Sequence, residues 1–194
     1  MGRDKALIEI EGRAMARIAA DALIGAGAAS VHAVGGNAAA LAELGLPVIA
    51  DRNPGEGPLG ALLDAFDAFD GFDDPDADGG VLMVLTCDLP YVDASAVIPV
   101  VETLANRPDL AVAAPMLHGR RQLLSAAYRP ALVRATARRA FADGQRAVRA
   151  GLDELPVAEV LLDPSLWWRL EDADTPQDLP AASDRPSGSD DPER

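Results

Sequence analysis

Val81-Leu82-Met83-Val84-Leu85-Thr86-Cys87-Asp88-Leu89-Pro90 is an apolar run that ends in an aspartate and a proline. A short, unbroken apolar stretch has no polar face to turn to water, so it predicts a central parallel strand covered on both sides. Its surroundings agree. Before it, Leu59, Leu62, Leu63, Phe66 and Phe69 recur at helical spacing, and after it a helix is expected near Ala94 to Ala105. Further towards the start, Met15, Ile18, Ala19, Ala22 and Leu23 mark a helix over Arg13 to Ala26. The β-prone runs Val31 to Val34 and Pro47 to Ala50 bracket an alanine-rich helix from about Asn37 to Leu44. Towards the end, strands are expected at Leu110 to Ala114 and Val157 to Leu162, with an extended segment at Gln122 to Tyr128. Short helices are expected around Ala131 to Phe141 and Gln145 to Ala150. Such alternation predicts an α/β domain built on a doubly wound, open, mostly parallel sheet.

The chain is 194 residues long and carries a formal charge of −14, which would repel a phosphate backbone, so nucleic acid is not an expected partner. A small nucleotide is not excluded, because one lysine and a bound divalent cation can offset phosphate charge within a cleft. Cys87 is the single cysteine and cannot form an intrachain disulfide, and no stretch approaches the apolar length of a membrane span. A cytoplasmic location and no membrane partner are the expectation. Residues 1–179 are expected to form one domain. From Pro180 to Arg194 the chain turns to Pro, Ser, Gly, Asp and Arg, which predicts a disordered acidic tail.

In an open α/β sheet, ligands bind outside the carboxyl ends of the strands, so the strand-to-helix loops hold the candidates. Asp51-Arg52-Asn53-Pro54-Gly55-Glu56-Gly57-Pro58-Leu59-Gly60 places glycines where backbone amides can approach an anionic ligand, although an ordinary turn into a helix has the same appearance. Asp88, directly after the apolar run, is positioned to hold Mg²⁺ over a triphosphate; it could equally cap a helix, but Pro90 and Asp93 set that helix's start later. Asp172 and Asp174 share one face of an extended segment and can complete an octahedral cation site, or Thr175-Pro176 can simply open a capped helix.

Other features carry less. Asp74 to Gly79 opens like a calcium loop but has Leu85 where a bidentate glutamate is needed. His32 and His118 lack partners at metal-ligand spacing, Cys87 reads as a small buried filler, and Trp167-Trp168 as core packing.

Taken in order, the motifs resemble the molybdenum cofactor guanylyltransferase family, within the sugar-nucleotide-type nucleotidyltransferases. Gly2 to Leu7 is similar to the end of that family's opening signature, and Glu11 to Met15 to its next turn. Asp51 to Gly60 matches D-x-x-P-G-x-G-P-L-x-G, Cys87 to Pro90 matches C-D-x-P, and Asp174 to Leu179 matches N/D-T-P-x-D-L. The resemblance runs over nearly the whole chain up to Pro180. It implies a Rossmann-like fold of the nucleotide-diphospho-sugar transferase type.

Carried over residue by residue, the resemblance implies that Lys5 contacts nucleotide phosphates and that Asp51, Gly57, Pro58, Leu59 and Gly60 contact the guanine nucleotide. It implies that Asp88 binds Mg²⁺ and is catalytic with Lys5, with Asp174, and Asp172 beside it, assisting the metal. Gln122, in a segment similar to R-x-Q-P-L but with Leu123 in place of proline, is implied to face the second substrate. The implied reaction transfers GMP from GTP to molybdopterin or molybdenum cofactor and releases pyrophosphate. Runners-up are a cytidylyltransferase on the same cofactor, a phospholactate guanylyltransferase, and a non-catalytic nucleotide-binding module. The family opens with a buried strand leading into L-A-G-G-x-S-x-R-M-G, and this chain begins at the Met-Gly. The expectation is therefore that coding sequence for that strand and its phosphate-cradling glycines lies upstream of Met1.

Overall fold

A computed structural model describes residues 4–69 and 80–173 of the chain. The acidic segment Asp74 to Gly79, the candidate ligand Asp174 and the tail from Pro180 lie outside the described residues.

The molecule is organised around β6 (Val112–Leu117), whose Val112, Ala113 and Ala114 have no exposed surface. Alternate side chains of a strand point to opposite faces, and here both faces are covered. Val112 and Ala114 pack with Leu59, Phe66 and Val133, from α3 (Pro58–Ala68) and α5 (Pro130–Ala142). Ala113 and Leu117 pack with Met15, Ile18, Val97 and Val100, from α1 (Met15–Gly25) and α4 (Ala94–Ala105). β6 runs parallel to β9 (Val157–Val160), from Val112 opposite Val157 to Pro115 opposite Val160. It runs antiparallel to β7 (Arg120–Arg121) and β8 (Ala127–Tyr128). The fold is thus a mixed α/β layer structure, with helices on both faces of a mixed sheet.

Two smaller sheets complete it. β1 (Glu9–Ile10) and β2 (Arg13–Ala14) form a hairpin turned by Glu11 and Gly12, both with positive φ (53° and 78°), as a two-residue type I′ turn requires. β3 (Ala33–Val34) and β4 (Val48–Ile49) pair in parallel around α2 (Ala38–Glu43), which Asn37 caps by accepting the Ala40 N–H at 3.2 Å.

The apolar run that decided the sequence reading behaves differently from the expectation. Only Leu82–Met83 forms a strand, β5, and it lies at the edge of the five-stranded sheet, antiparallel to β8 with Leu82 opposite Tyr128. The fully covered strand is β6 instead. Residues 81–86 are half-buried because they border an apolar cleft of about 730 Å³, whose other wall includes Val31, Ala33, Val34 and Ile49. The described strands therefore fall into separate sheets, and a continuous doubly wound parallel sheet is not among them. Unbroken apolarity reports that a segment avoids water, not which partner supplies the avoidance.

Two smaller corrections follow the same logic. The segment Gln145 to Ala150 is not an α-helix but leads into a 3-10 turn at Val148–Leu152, and Arg13 starts a strand, not the first helix. Of Gln122 to Tyr128, only the last two residues are ladder-paired; Gln122 itself opens a turn in which Ser125 N–H donates to its carbonyl. Among the described residues no helix is long and apolar enough to cross a membrane.

Candidate functional site

Beyond β5 the chain passes Thr86 into a turn at Cys87–Asp88. The Thr86 hydroxyl donates to Asp88 Oδ1 at 2.5 Å, and Lys5 Nζ stands 3.7 Å from Asp88 Oδ2. Both side chains keep solvent access, 34% for Lys5 and 21% for Asp88, so this carboxylate and ammonium are reachable from outside. Lys5 is the only lysine in a chain whose other basic residues are all arginine. It rides on a 3-10 turn, Lys5–Leu7, capped by Asp4, whose carboxylate accepts the Ala6 N–H at 3.2 Å.

From this pair a line of close neighbours leads to Asp51. Gly36 and Gly35, at the end of β3, have φ of +81° and +70°. A Cβ added at Gly36 would lie 3.7 Å from Asp4 Oδ2, and one at Gly35 only 3.3 Å from Asp51 Cβ. The glycine pair is a thin wedge between two acidic side chains, and a left-handed backbone makes side chains costly there in any case. On the other flank, the Ala173 N–H donates to the Asp88 carbonyl at 2.9 Å, which brings the Asp172–Ala173 segment back to the Asp88 turn. Lys5 and Asp88 thus pair beyond β5, and Asp51 stands beside Gly35 beyond β4.

The long loop is held by its own charges. Asp51 Oδ1 accepts the Asn53 N–H at 2.9 Å. Arg52 donates its backbone N–H (2.9 Å) and its Nε (2.5 Å) to Asp64, a carboxylate buried in α3, and its outer nitrogen to Asp67 at 2.5 Å. Arg138 of α5 reaches the other Asp67 oxygen at 2.5 Å. Hydrogen bonds donated to Asp67 and Asp64 push the Arg52 guanidinium up. Burial pushes the Asp67 carboxyl up, but hydrogen bonds from Arg52 and Arg138 outweigh it and hold Asp67 below the usual carboxylate range. Gly57 (φ 86°, ψ 175°) then turns the chain into α3, with Pro58 at the first helical position. Leu59 and Gly60 are buried, so within this turn the exposed Gly57 and Pro58 are what a ligand can reach.

Burial pushes the Cys87 thiol up, helped by the charges of Asp88 and Asp4, so it stays protonated at neutral pH and is a poor nucleophile. His118 pairs with Glu171 at 3.2 Å and His32 packs edge-on against Phe69. Gln122 donates to the Arg120 carbonyl at 3.4 Å and shares no hydrogen bond with Lys5, Asp51 or Asp88.

Among the described residues no cluster of three or more His, Cys, Asp or Glu side chains could hold a metal alone. Asp88 nevertheless fits Mg²⁺. This hard cation is commonly held by one or two carboxylates, with water and substrate phosphate oxygens completing its shell. Sequence reasoning missed Asp4, Thr86 and the Gly35–Gly36 wedge. The last had a readable signal, a glycine pair after a β-prone run and before the capping Asn37; Asp4 and Thr86 had none, because their roles depend on contacts across the fold.

A family model described as "MobA-like NTP transferase domain" matches residues 1–157. Among solved structures, the chain is similar to molybdopterin-guanine dinucleotide biosynthesis protein A from Archaeoglobus fulgidus (TM-score 0.66, 19% identity, 91% of this chain and 87% of that one). It is similar to 2-C-methyl-D-erythritol 4-phosphate cytidylyltransferase from Thermus thermophilus (0.64, 18%, 90% and 89%). It is also similar to 4-diphosphocytidyl-2C-methyl-D-erythritol synthase from Anaerococcus prevotii (0.61, 11%, 88% and 85%). At these identities the likeness concerns the fold alone. No curated protein matches the chain.

Proposed function

We propose a specific reaction for this chain, which belongs to the family of MobA-like NTP transferase domains and is an NTP-dependent nucleotidyltransferase: transfer of GMP from GTP to molybdopterin or its molybdenum-loaded form. The observation that carries the reading is the Lys5–Asp88 pair, 3.7 Å apart and accessible. A terminal phosphate oxygen of the acceptor attacks the α-phosphorus of GTP. The new P–O bond forms as the bond from that phosphorus to the bridging oxygen of the β-phosphate breaks, and pyrophosphate leaves with the electron pair.

The chain's own residues contribute position and charge. The Lys5 ammonium neutralises phosphate oxygens, and Asp51 with the Gly57–Gly60 turn orients the nucleotide. Asp88, with Thr86 fixing its rotamer, would hold Mg²⁺, and Asp174 would assist. When bound, that ion supplies charge neutralisation on the triphosphate. Gln122 would meet the acceptor. Such chemistry needs no nucleophilic side chain, in keeping with a protonated Cys87.

A second reading has its own observation: the fold matches a cytidylyltransferase nearly as well as the Archaeoglobus protein, at TM-scores of 0.64 and 0.66. Thermal shift with GTP and CTP separates them. Stabilisation by GTP and pyrophosphate release with molybdopterin are expected; a response to CTP alone overturns the guanine assignment.

A further inference from the structure

The start of α3 is held by a residue far away in sequence. Gly57 occupies the N-cap without a side-chain cap bond, and Pro58 has no N–H, so the first helical amide needing a partner is that of Leu59. It donates to the Arg146 carbonyl at 3.1 Å. The same residue presses on Gly57: a Cβ there would stand 3.0 Å from Arg146 Cβ and 3.3 Å from its carbonyl oxygen. The Arg146 guanidinium forms an ion pair with Glu56, donates to the Phe141 and Gln145 carbonyls at 3.1 and 2.9 Å, and lies 4.4 Å over the Phe141 ring. That ring in turn backs Gly60, where a Cβ would come within 3.2 Å of it.

Arg146 and Phe141 therefore hold Glu56 to Gly60 by one backbone hydrogen bond, one ion pair and two glycine contacts. An exposed ion pair alone would be worth little. Here the arginine is also fixed by carbonyls and by the ring beneath it, so less side-chain freedom is lost when Glu56 binds.

We propose that Arg146 is a positioning residue for the nucleotide, acting through the Glu56–Gly60 turn and not by touching the substrate. The proposal rests on the reading of Asp51–Gly60 as the nucleotide loop. Holding the turn before the nucleotide arrives lowers the ordering cost of binding, so loss of the brace weakens binding more than it slows the chemical step.

The test compares Arg146→Ala and Glu56→Gln with the intact protein. Steady-state kinetics and hydrogen exchange of the amides of residues 55–60 in the absence of nucleotide are both measured. Arg146→Ala is expected to raise KM for the nucleotide about tenfold with kcat within about twofold, and to speed exchange in the turn. Both variants keep the Leu59 bond to the residue-146 carbonyl; Glu56→Gln also keeps the arginine's bonds to the Phe141 and Gln145 carbonyls and its ring contact, and is expected to shift both in the same direction by less. Faster exchange with unchanged KM would overturn the proposal, as would unchanged exchange in both variants. If the unaltered protein binds no nucleotide, it is the functional reading that fails, and the exchange result still decides whether the brace exists.

Discussion

Asp88 carries more of the proposed chemistry than any other side chain. It is small, partly exposed and aligned by Thr86, and its substitution does not open the core. Asp88→Asn is expected to cut turnover at saturating nucleotide by at least about a hundredfold while leaving the circular dichroism spectrum unchanged; retained turnover would remove it from the site. Asp67 makes a different prediction. Its folded-state pKa lies below the ordinary value, so it contributes stability above the unfolded-chain pKa of about 3.9, and that contribution is lost as pH falls through the folded value. In urea titrations the stability gap between the natural chain and Asp67→Asn should be full at pH 7 and close under acid. A gap independent of pH would contradict the pairing with Arg52 and Arg138. Asp64, its buried neighbour, accepts two bonds from Arg52. Asp64→Ala should cost about 1–3 kcal/mol by urea denaturation, since it strands the Arg52 amide at the root of the loop.

Helices were the most legible elements, and the reasons are local. Asn37, Asp93 and Pro58 mark the starts of α2, α4 and α3 in the sequence itself, and the apolar spacing of α3 points Leu59, Leu62, Leu63 and Phe66 inward. Strands were less legible, because pairing is decided by partners distant in sequence. Val81 to Thr86 read as the central buried run and Leu110 to Ala114 only as a strand, yet the first edges a cleft and the second leads into β6, the covered centre. The loops offered their residues but not their contacts: Asp51, Asp88 and Lys5 were readable as types in order, whereas Asp4, Thr86 and Arg146 gain meaning only from the fold. At the head of α3, Gly57→Ala is expected to destabilise by about 1–3 kcal/mol, because it combines positive φ with contact on Arg146. A substitution without effect on urea midpoint would mean the turn relaxes freely.

As a whole the molecule is strongly acidic, with a formal charge of −14, so its field repels polyphosphates at a distance and any nucleotide affinity must come from short-range contacts. Binding should therefore strengthen with added Mg²⁺ and with moderate salt, the reverse of a nucleic-acid binder. The single lysine makes the most direct test possible. Lys5 is acylated with an amine-reactive reagent, with and without Mg²⁺ and GTP, and the extent is read by mass spectrometry of the one peptide that contains it. At nucleotide ten times its Kd, modification of Lys5 is predicted to slow about elevenfold, and Asp88→Asn should remove the protection at that concentration. Equal acylation rates with and without a nucleotide already shown to saturate the protein would mean that the triphosphate does not lie against the Lys5–Asp88 pair.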